Sequence, residues 1–125
     1  MTKMVSKMKK KEMSATVYEL RRNVIALVYE AKELVPTLPR ITVRITDNHE
    51  TTLALATMKR DYIEVSERAI SCTDFDLRTI VFHELLHAVW GLRHDETCRL
   101  MKAHHEPLPK EKVHQLFLKY AKGKK

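Results

Sequence analysis

Hydrophobic residues in the first third of the chain recur every three or four positions, which predicts an amphipathic helix. The residues with this spacing are Val17, Leu20, Val24, Leu27, Val28, Ala31 and Leu34. Thr16 and Glu19 have the T-x-x-E spacing of a capping box, and Pro36 and Pro39 stop the helix. We therefore expect a helix over residues 16–35 that buries one face.

Short alternating segments follow this helix. Residues 40–47 (RITVRITD) alternate apolar and polar side chains and are rich in Ile, Val and Thr, which predicts a half-buried strand. A turn is predicted at 47–50. Residues 52–58 and 61–66 are interpreted as two more strands, joined in a hairpin at Lys59-Arg60. We expect a small sheet of about three strands, largely antiparallel.

Two further helices are predicted in the second half of the chain. Thr73 suits the N-cap of a helix over 74–90, and Gly91 stands where a helix C-terminal glycine belongs. Pro109 fits the first turn of a last helix over 109–121. Its buried positions would be Val113, Leu116, Phe117 and Tyr120. Helices around a small sheet make this an α+β fold.

Composition limits the class of protein. The chain has 125 residues, of which 44% are hydrophobic, so it is long enough for one domain with a buried core. No apolar run has the length of a membrane span or the pattern of a secretory signal. Two cysteines are too few for a disulfide framework. We expect one domain over 14–121, monomeric and located in the cytoplasm or elsewhere inside the cell.

The net charge of +7 is concentrated at the two ends. Residues 1–12 contain five Lys and one Glu, and residues 119–125 contain four Lys. We interpret 1–13 as a flexible basic leader and 122–125 as a basic tail. Such ends improve solubility, and they also suit a weak, salt-sensitive attraction to nucleic acid.

The segment with the clearest chemistry is His83-Glu84-Leu85-Leu86-His87, an H-E-x-x-H pattern. In a helix, His83 and His87 stand one turn apart on one face, so both imidazoles can reach one zinc ion. Glu84 projects from the adjoining position, where it can contact a zinc-bound water. Zinc lowers the pKa of that water, and the carboxylate takes its proton as it attacks a carbonyl.

A catalytic zinc needs a third protein ligand and an open position for water. We choose His94, because Gly91 allows the backbone to turn back sharply three residues earlier. Other candidates for the third ligand are Glu96, Cys98, His104, His105, Glu106 and Glu111.

Two further residues accompany this motif. Met101 follows His94 closely and could form a turn that supports the site. Trp90 lies three residues after His87, and we expect it to pack beneath the metal face rather than border it.

The segment HELLHAVWGLRHDETCRLM resembles the zinc signature of the metzincins, H-E-x-x-H-x-x-G-x-x-H followed by a methionine turn, of the matrixin or archaemetzincin type. His83, Glu84 and His87 match residue for residue, and Gly91, His94 and Met101 match in order. Three residues separate His87 from Gly91, where the family has two. SprT-like proteases and other minimal zincins, which also begin with H-E-x-x-H, are the alternative relatives.

The resemblance implies a minimal zincin, that is, a zinc metallopeptidase that hydrolyses peptides or proteins. One zinc would be held by His83, His87 and His94, with Glu84 as the general base. An extended substrate could pair with the sheet's edge strand. Two alternatives remain: a SprT-like protease acting on DNA-associated proteins, and an inactive zinc-binding or regulatory module. A leader that blocks the cleft until it is cleaved is a further hypothesis.

Overall fold

The computed structural model describes residues 2–46, 54–55, 61–94, 100–101 and 108–123. Helices and strands follow in the expected order. They are α1 (Thr2–Leu34), β1 (Thr42–Thr46), β2 (Ala54–Leu55), β3 (Tyr62–Ser66), α2 (Asp74–Trp90) and α3 (Lys110–Gly123). A 3₁₀ turn over Glu67–Ser71 connects β3 to α2. The expected α+β class is confirmed.

Helix α1 is longer than the sequence pattern predicts. It begins at Thr2 rather than near residue 16, so Thr16 lies within the helix and is not its N-cap. The segment assigned to a flexible leader, 1–13, is thus helical from Thr2 onward. It contains no Gly or Pro and is rich in Lys and Met, which are strong helix formers. The predicted end is confirmed, because the helix stops at Leu34 before Pro36.

The sheet has the strand order β1-β3-β2, and this corrects the antiparallel expectation. β1 pairs with β3 in parallel, from Thr42 opposite Tyr62 to Thr46 opposite Ser66. Where the structure describes it, β2 is antiparallel to β3. Alternation of side chains indicates which face of a strand is buried but not which strand lies beside it or in which direction. The predicted turn at 47–50 and the hairpin residues Lys59-Arg60 lie outside the described residues.

A side chain of α1 reaches the outer edge of β1. The amide of Thr42 donates to Asp61 O at 2.8 Å, so the backbone of Thr42 points toward β3 and that of Val43 points away from it. Arg21 of α1 donates from Nε to the outward carbonyl of Val43 at 3.3 Å. A charged side chain bound to an edge carbonyl is a common way to block the pairing of a further strand.

Helix α2 forms the centre of the core. Every described side chain from Thr79 to Ala88 is buried, and Phe82, Leu85 and Leu86 are fully so. The buried face of α1 packs against it through residues the spacing predicts: Leu20, Val24, Leu27 and Ala31. A helix that is apolar on nearly all sides is stable only when other elements surround it. The polar side chains on α2 are therefore held in a rigid, water-poor setting.

Helix α3 covers α2 and confirms the predicted stripe, with Val113 and Phe117 buried and Leu116 and Tyr120 half-buried. Thr79 links the two helices. Its hydroxyl donates to Phe75 O at 2.7 Å and accepts from the amide of Leu108 at 3.2 Å. The chain entering α3 is thereby attached to α2, four residues before His83.

A half-buried carboxylate joins all three helices. Glu30 of α1 accepts two hydrogen bonds from Arg78 of α2, at 2.8 and 3.2 Å. His114 of α3 lies 2.8 Å from the same carboxylate and stacks on Phe82. Burial alone would raise the pKa of Glu30, but the hydrogen bonds and charges of Arg78 and His114 outweigh it and hold that pKa below its usual value.

None of the described helices combines the length and the apolar character that crossing a bilayer requires.

Replacing Thr79 with Val should lower the free energy of unfolding by about 1–3 kcal/mol, because the buried amide of Leu108 loses its acceptor. Thr79→Ser keeps the hydroxyl and should retain most of that stability. Urea unfolding of both variants measures the difference. A larger loss in Thr79→Ser than in Thr79→Val would show that the methyl group, and not the hydrogen bond, matters at this position.

Replacing Glu30 with Gln should destabilise the fold at neutral pH by about 1 kcal/mol. Because the folded-state pKa of Glu30 is lowered, its contribution is present above the unfolded-state pKa and is lost as the pH falls through the folded-state pKa. The difference in free energy of unfolding between wild type and variant should therefore disappear at acidic pH. Glu33→Gln, at an exposed site on the same helix, is the control in thermal melts across pH. A gap that persists in acid would contradict this account.

Candidate metal centre

Helix α2 begins and ends where its sequence predicts. The Thr73 hydroxyl accepts from the amide of Asp76 at 3.1 Å, which caps the first turn. At the other end, Gly91 adopts a left-handed conformation with φ 66° and ψ 28°. Its amide donates to His87 O, and the amide of Leu92 donates to Leu86 O. Glycine lacks a Cβ atom and therefore takes the left-handed conformation at little cost. The chain reverses direction at Gly91.

Three histidines meet at this reversal. His83 and His87 stand one helical turn apart, and their Nε2 atoms are 3.0 Å from each other. His94, which follows the Gly91 turn, lies beside both, with ring centroids 5.2 Å from His83 and 4.9 Å from His87. One ligand nitrogen from each ring falls within 4.8 Å of the others. The three residues, here called the histidine cluster, are close enough to hold one metal ion.

Backbone carbonyls orient the two buried rings. The Nδ1 atom of His83 lies 2.7 Å from Leu100 O, and the Nδ1 atom of His87 bonds Leu92 O. A carbonyl only accepts, so each Nδ1 carries the proton and donates it. In the neutral ring the other nitrogen, Nε2, then bears a lone pair. This arrangement, with the far ring nitrogen bound to an acceptor, is typical of histidines that bind metals.

The donor set fits a metal ion. Two Nε2 lone pairs that face each other at 3.0 Å repel, and a cation between them removes the repulsion. A tetrahedral zinc with nitrogen ligands would separate them by about 3.3 Å, which is close to the distance found. The cluster therefore has the atoms, the tautomers and the spacing that a metal site requires.

Burial differs across the cluster. His83 is 1% exposed and His87 8%, whereas His94 is exposed. Burial and the nearby His94 lower the pKa of His87, and the hydrogen bond to Leu92 opposes this shift. The imidazole of His87 is therefore neutral at neutral pH, as a metal ligand must be. Of the three residues of the cluster, His94 is therefore the one that solvent reaches most.

Glu84 lies beside the cluster. Its side chain is buried, with 4% of the residue exposed, and its Oε2 atom is 3.8 Å from Nε2 of His83. A carboxylate inside an apolar helix is costly unless charged or polar groups surround it. At the edge of the histidine cluster, a carboxylate can accept a proton from a molecule bound there.

The other predicted site residues have mixed outcomes. Met101 is fully buried, directly after the residue whose carbonyl holds His83. Trp90 packs edge-to-face on Phe117, at 5.7 Å between ring centroids, as expected for a packing role. Glu111 is exposed in the first turn of α3 and is not part of the cluster. The remaining alternative ligands lie outside the described residues: Glu96, Cys98, His104, His105 and Glu106.

Sequence reasoning did not identify Leu92 and Leu100 as parts of the site. Both act through backbone carbonyls, which every residue possesses, so side-chain identity gives no direct signal. An indirect signal exists for Leu92, because the residue after a C-terminal glycine turns back over the last helical turn.

Comparison with known proteins does not assign the chain to a family. No protein-family model, curated protein or solved structure matches it.

The purified protein should bind one zinc ion per chain, and His94→Ala should weaken that binding strongly, because one of three ligands is lost. His114→Ala is the matched control, since it removes a histidine that lies against Glu30 instead of in the cluster. Metal analysis and zinc titration measure both. Zinc that binds His94→Ala as tightly as wild type would exclude His94 as a ligand and direct attention to the residues from 95 to 107.

Proposed function

We propose that this protein is a zinc-dependent metallopeptidase that hydrolyses peptide bonds. The observation that supports this most directly is the buried carboxylate of Glu84, which lies 3.8 Å from Nε2 of His83 in a cluster whose third histidine, His94, is exposed. Three ligands with an open side are typical of catalytic zinc sites, whereas structural sites are closed by a fourth protein ligand. Among the described residues, the cluster consists of these three histidines.

Zinc is the proposed ion because of the ligand chemistry. Imidazole nitrogens suit zinc, whereas calcium and magnesium prefer oxygen ligands. When bound, zinc supplies Lewis-acid chemistry, which polarises a carbonyl and makes water a better nucleophile at neutral pH. The hydrogen bonds from His83 to Leu100 O and from His87 to Leu92 O leave both Nε2 atoms as the ring nitrogens that would hold the ion.

Glu84 is proposed to move the proton. Its carboxylate accepts a proton from the attacking water while the water oxygen forms a bond to the scissile carbonyl carbon. The same proton then passes to the departing amine nitrogen as the C–N bond breaks, so the products are a carboxylic acid and an amine. The apolar surroundings of α2 exclude bulk water from the carboxylate and strengthen its interactions.

An extended substrate is proposed to pair at the β2 edge of the described sheet. At the β1 edge, Arg21 already occupies the outward carbonyl of Val43, which disfavours strand addition there. β2 lies at the opposite edge, and α2 contacts both β2 and β3. A peptide paired along β2 would therefore run beside the helix that carries His83 and His87.

The family assignment is part of the same proposal. We assign the protein to the zincins, of metzincin-like or SprT-like type. Four features support this assignment: the H-E-x-x-H helix, its C-terminal glycine, the turn back to His94 and the buried Met101. An inactive zinc-binding module would need neither an acidic residue at the ligands nor an exposed side.

Replacing Glu84 with Gln should reduce hydrolysis about 10²- to 10⁴-fold, since the amide accepts no proton. Zinc content and melting temperature should stay near the wild-type values, because Gln has the same shape. Fluorescein-labelled casein with added zinc is the assay. Glu111→Gln, an exposed change on α3, is the control.

Two results would contradict the proposed function. Hydrolysis by Glu84→Gln at the wild-type rate would remove Glu84 from the mechanism. Zinc-loaded wild type that cleaves neither casein nor a mixed peptide library would favour the inactive binding module.

A further inference from the structure

A groove of about 510 Å³ lies between α1 and β1. Its apolar lining includes Ile25 and Val28 from the helix and Ile41 from the chain entering the strand. No residue of the histidine cluster lines it. The groove is therefore a surface feature that the proposed hydrolysis does not use.

The polar side chains that line this groove include three cations, namely Arg21, Lys32 and Arg40. Arg21 and Lys32 bond the backbone carbonyls of Val43 and Leu38, at 3.3 and 2.9 Å, which are uncharged partners. No carboxylate of a described residue forms an ion pair with any of the three cations, and none of the described residues that line the groove is acidic. The positive charge of the groove is thus available to an anion.

The groove residues of α1 share one side of the helix. Steps of three or four residues keep helix positions on one side, and such steps lead from Lys32 through Val28 and Ile25 to Arg21. Arg21 and Lys32 are here called the basic row of α1. Glu19 and Glu30 stand two residues from Arg21 and Lys32, and Glu33 stands one residue from Lys32, so all three glutamates fall on other sides of the helix. Between residues 17 and 34, this side of α1 therefore carries cations and no carboxylate.

Two tyrosines accompany the basic row. Tyr29 lines the groove and is 63% exposed, and Tyr18 stands on the same side of α1 and is 60% exposed. Large aromatic side chains with this exposure contribute little to folding. They offer flat faces on which unstacked bases can lie.

We propose that the groove and the basic row of α1 bind single-stranded nucleic acid. The cations neutralise phosphates, and Tyr29 and Tyr18 stack on bases, which is the combination that single-stranded binding surfaces use. An acidic peptide would match the charge, but it would make no use of the aromatic faces. The surface binds without zinc and does not require Glu84.

Fluorescence anisotropy with a labelled oligothymidylate of about 16 nucleotides tests this surface, at salt from about 50 to about 200 mM. The full-length double variant Lys32→Glu with Arg40→Glu should bind at least tenfold more weakly. The slope of the logarithm of the binding constant against the logarithm of the salt concentration, here called the salt slope, should become shallower by about 1.4, because two phosphate contacts are lost. Tyr29→Ala should lose at least about fivefold in affinity with the salt slope unchanged, since stacking releases no counterions.

The matched control is Lys110→Glu with Lys119→Glu, which lowers the net charge equally but on exposed positions of α3. It should keep affinity within twofold of wild type, and EDTA should change neither protein. Circular dichroism melts confirm that each variant folds. An equal loss of affinity in the control would mean that net charge alone attracts the oligonucleotide. Displacement of the oligonucleotide by polyglutamate at equal charge concentration would favour an acidic protein partner, and either result would overturn the proposal.

Discussion

Two histidine side chains turn their lone pairs toward each other inside the core, and the rest of the structure makes this arrangement hold. The rings of His83 and His87 would rotate apart if their Nδ1 protons had no acceptors. Leu100 O and Leu92 O provide those acceptors from the chain that follows α2. The repulsion between the two Nε2 atoms is then maintained by hydrogen bonds, and a metal ion relieves it. The ligands, the turn and the carbonyls thus depend on one another.

The surroundings of α2 explain how such a site is kept rigid. Helices α1 and α3 pack on it, and the sheet covers a further side, so few of its side chains reach water. Glu30 adds a polar connection among the three helices at some distance from the ligands, and Thr79 attaches the start of α3. A pair of histidines on an exposed helix would sample many rotamers. On this helix, burial and the hydrogen bonds to Leu100 O and Leu92 O restrict the rings of His83 and His87.

Local signals made most of α2 and its site predictable from the sequence. Thr73 and Gly91 mark the two ends of the helix, the four-residue spacing places His83 above His87, and the glycine turn explains the approach of His94. Features that depend on distant partners were not predictable. The parallel pairing of β1 with β3, the early start of α1 and the Glu30 contacts follow from the assembled fold. The carbonyl acceptors were missed because a backbone carbonyl has no sequence signature.

The short distance along the chain between all parts of the histidine cluster has a consequence for folding. Ligands and orienting carbonyls all come from residues 83–100, so bringing them together closes only short loops and costs little chain entropy. In contrast, the pairing of β1 with β3 and the docking of α1 join residues far apart in sequence. Contacts between near neighbours form fastest. The three histidines can therefore come together before α1 and the sheet assemble, and packing by those elements then makes the cluster rigid.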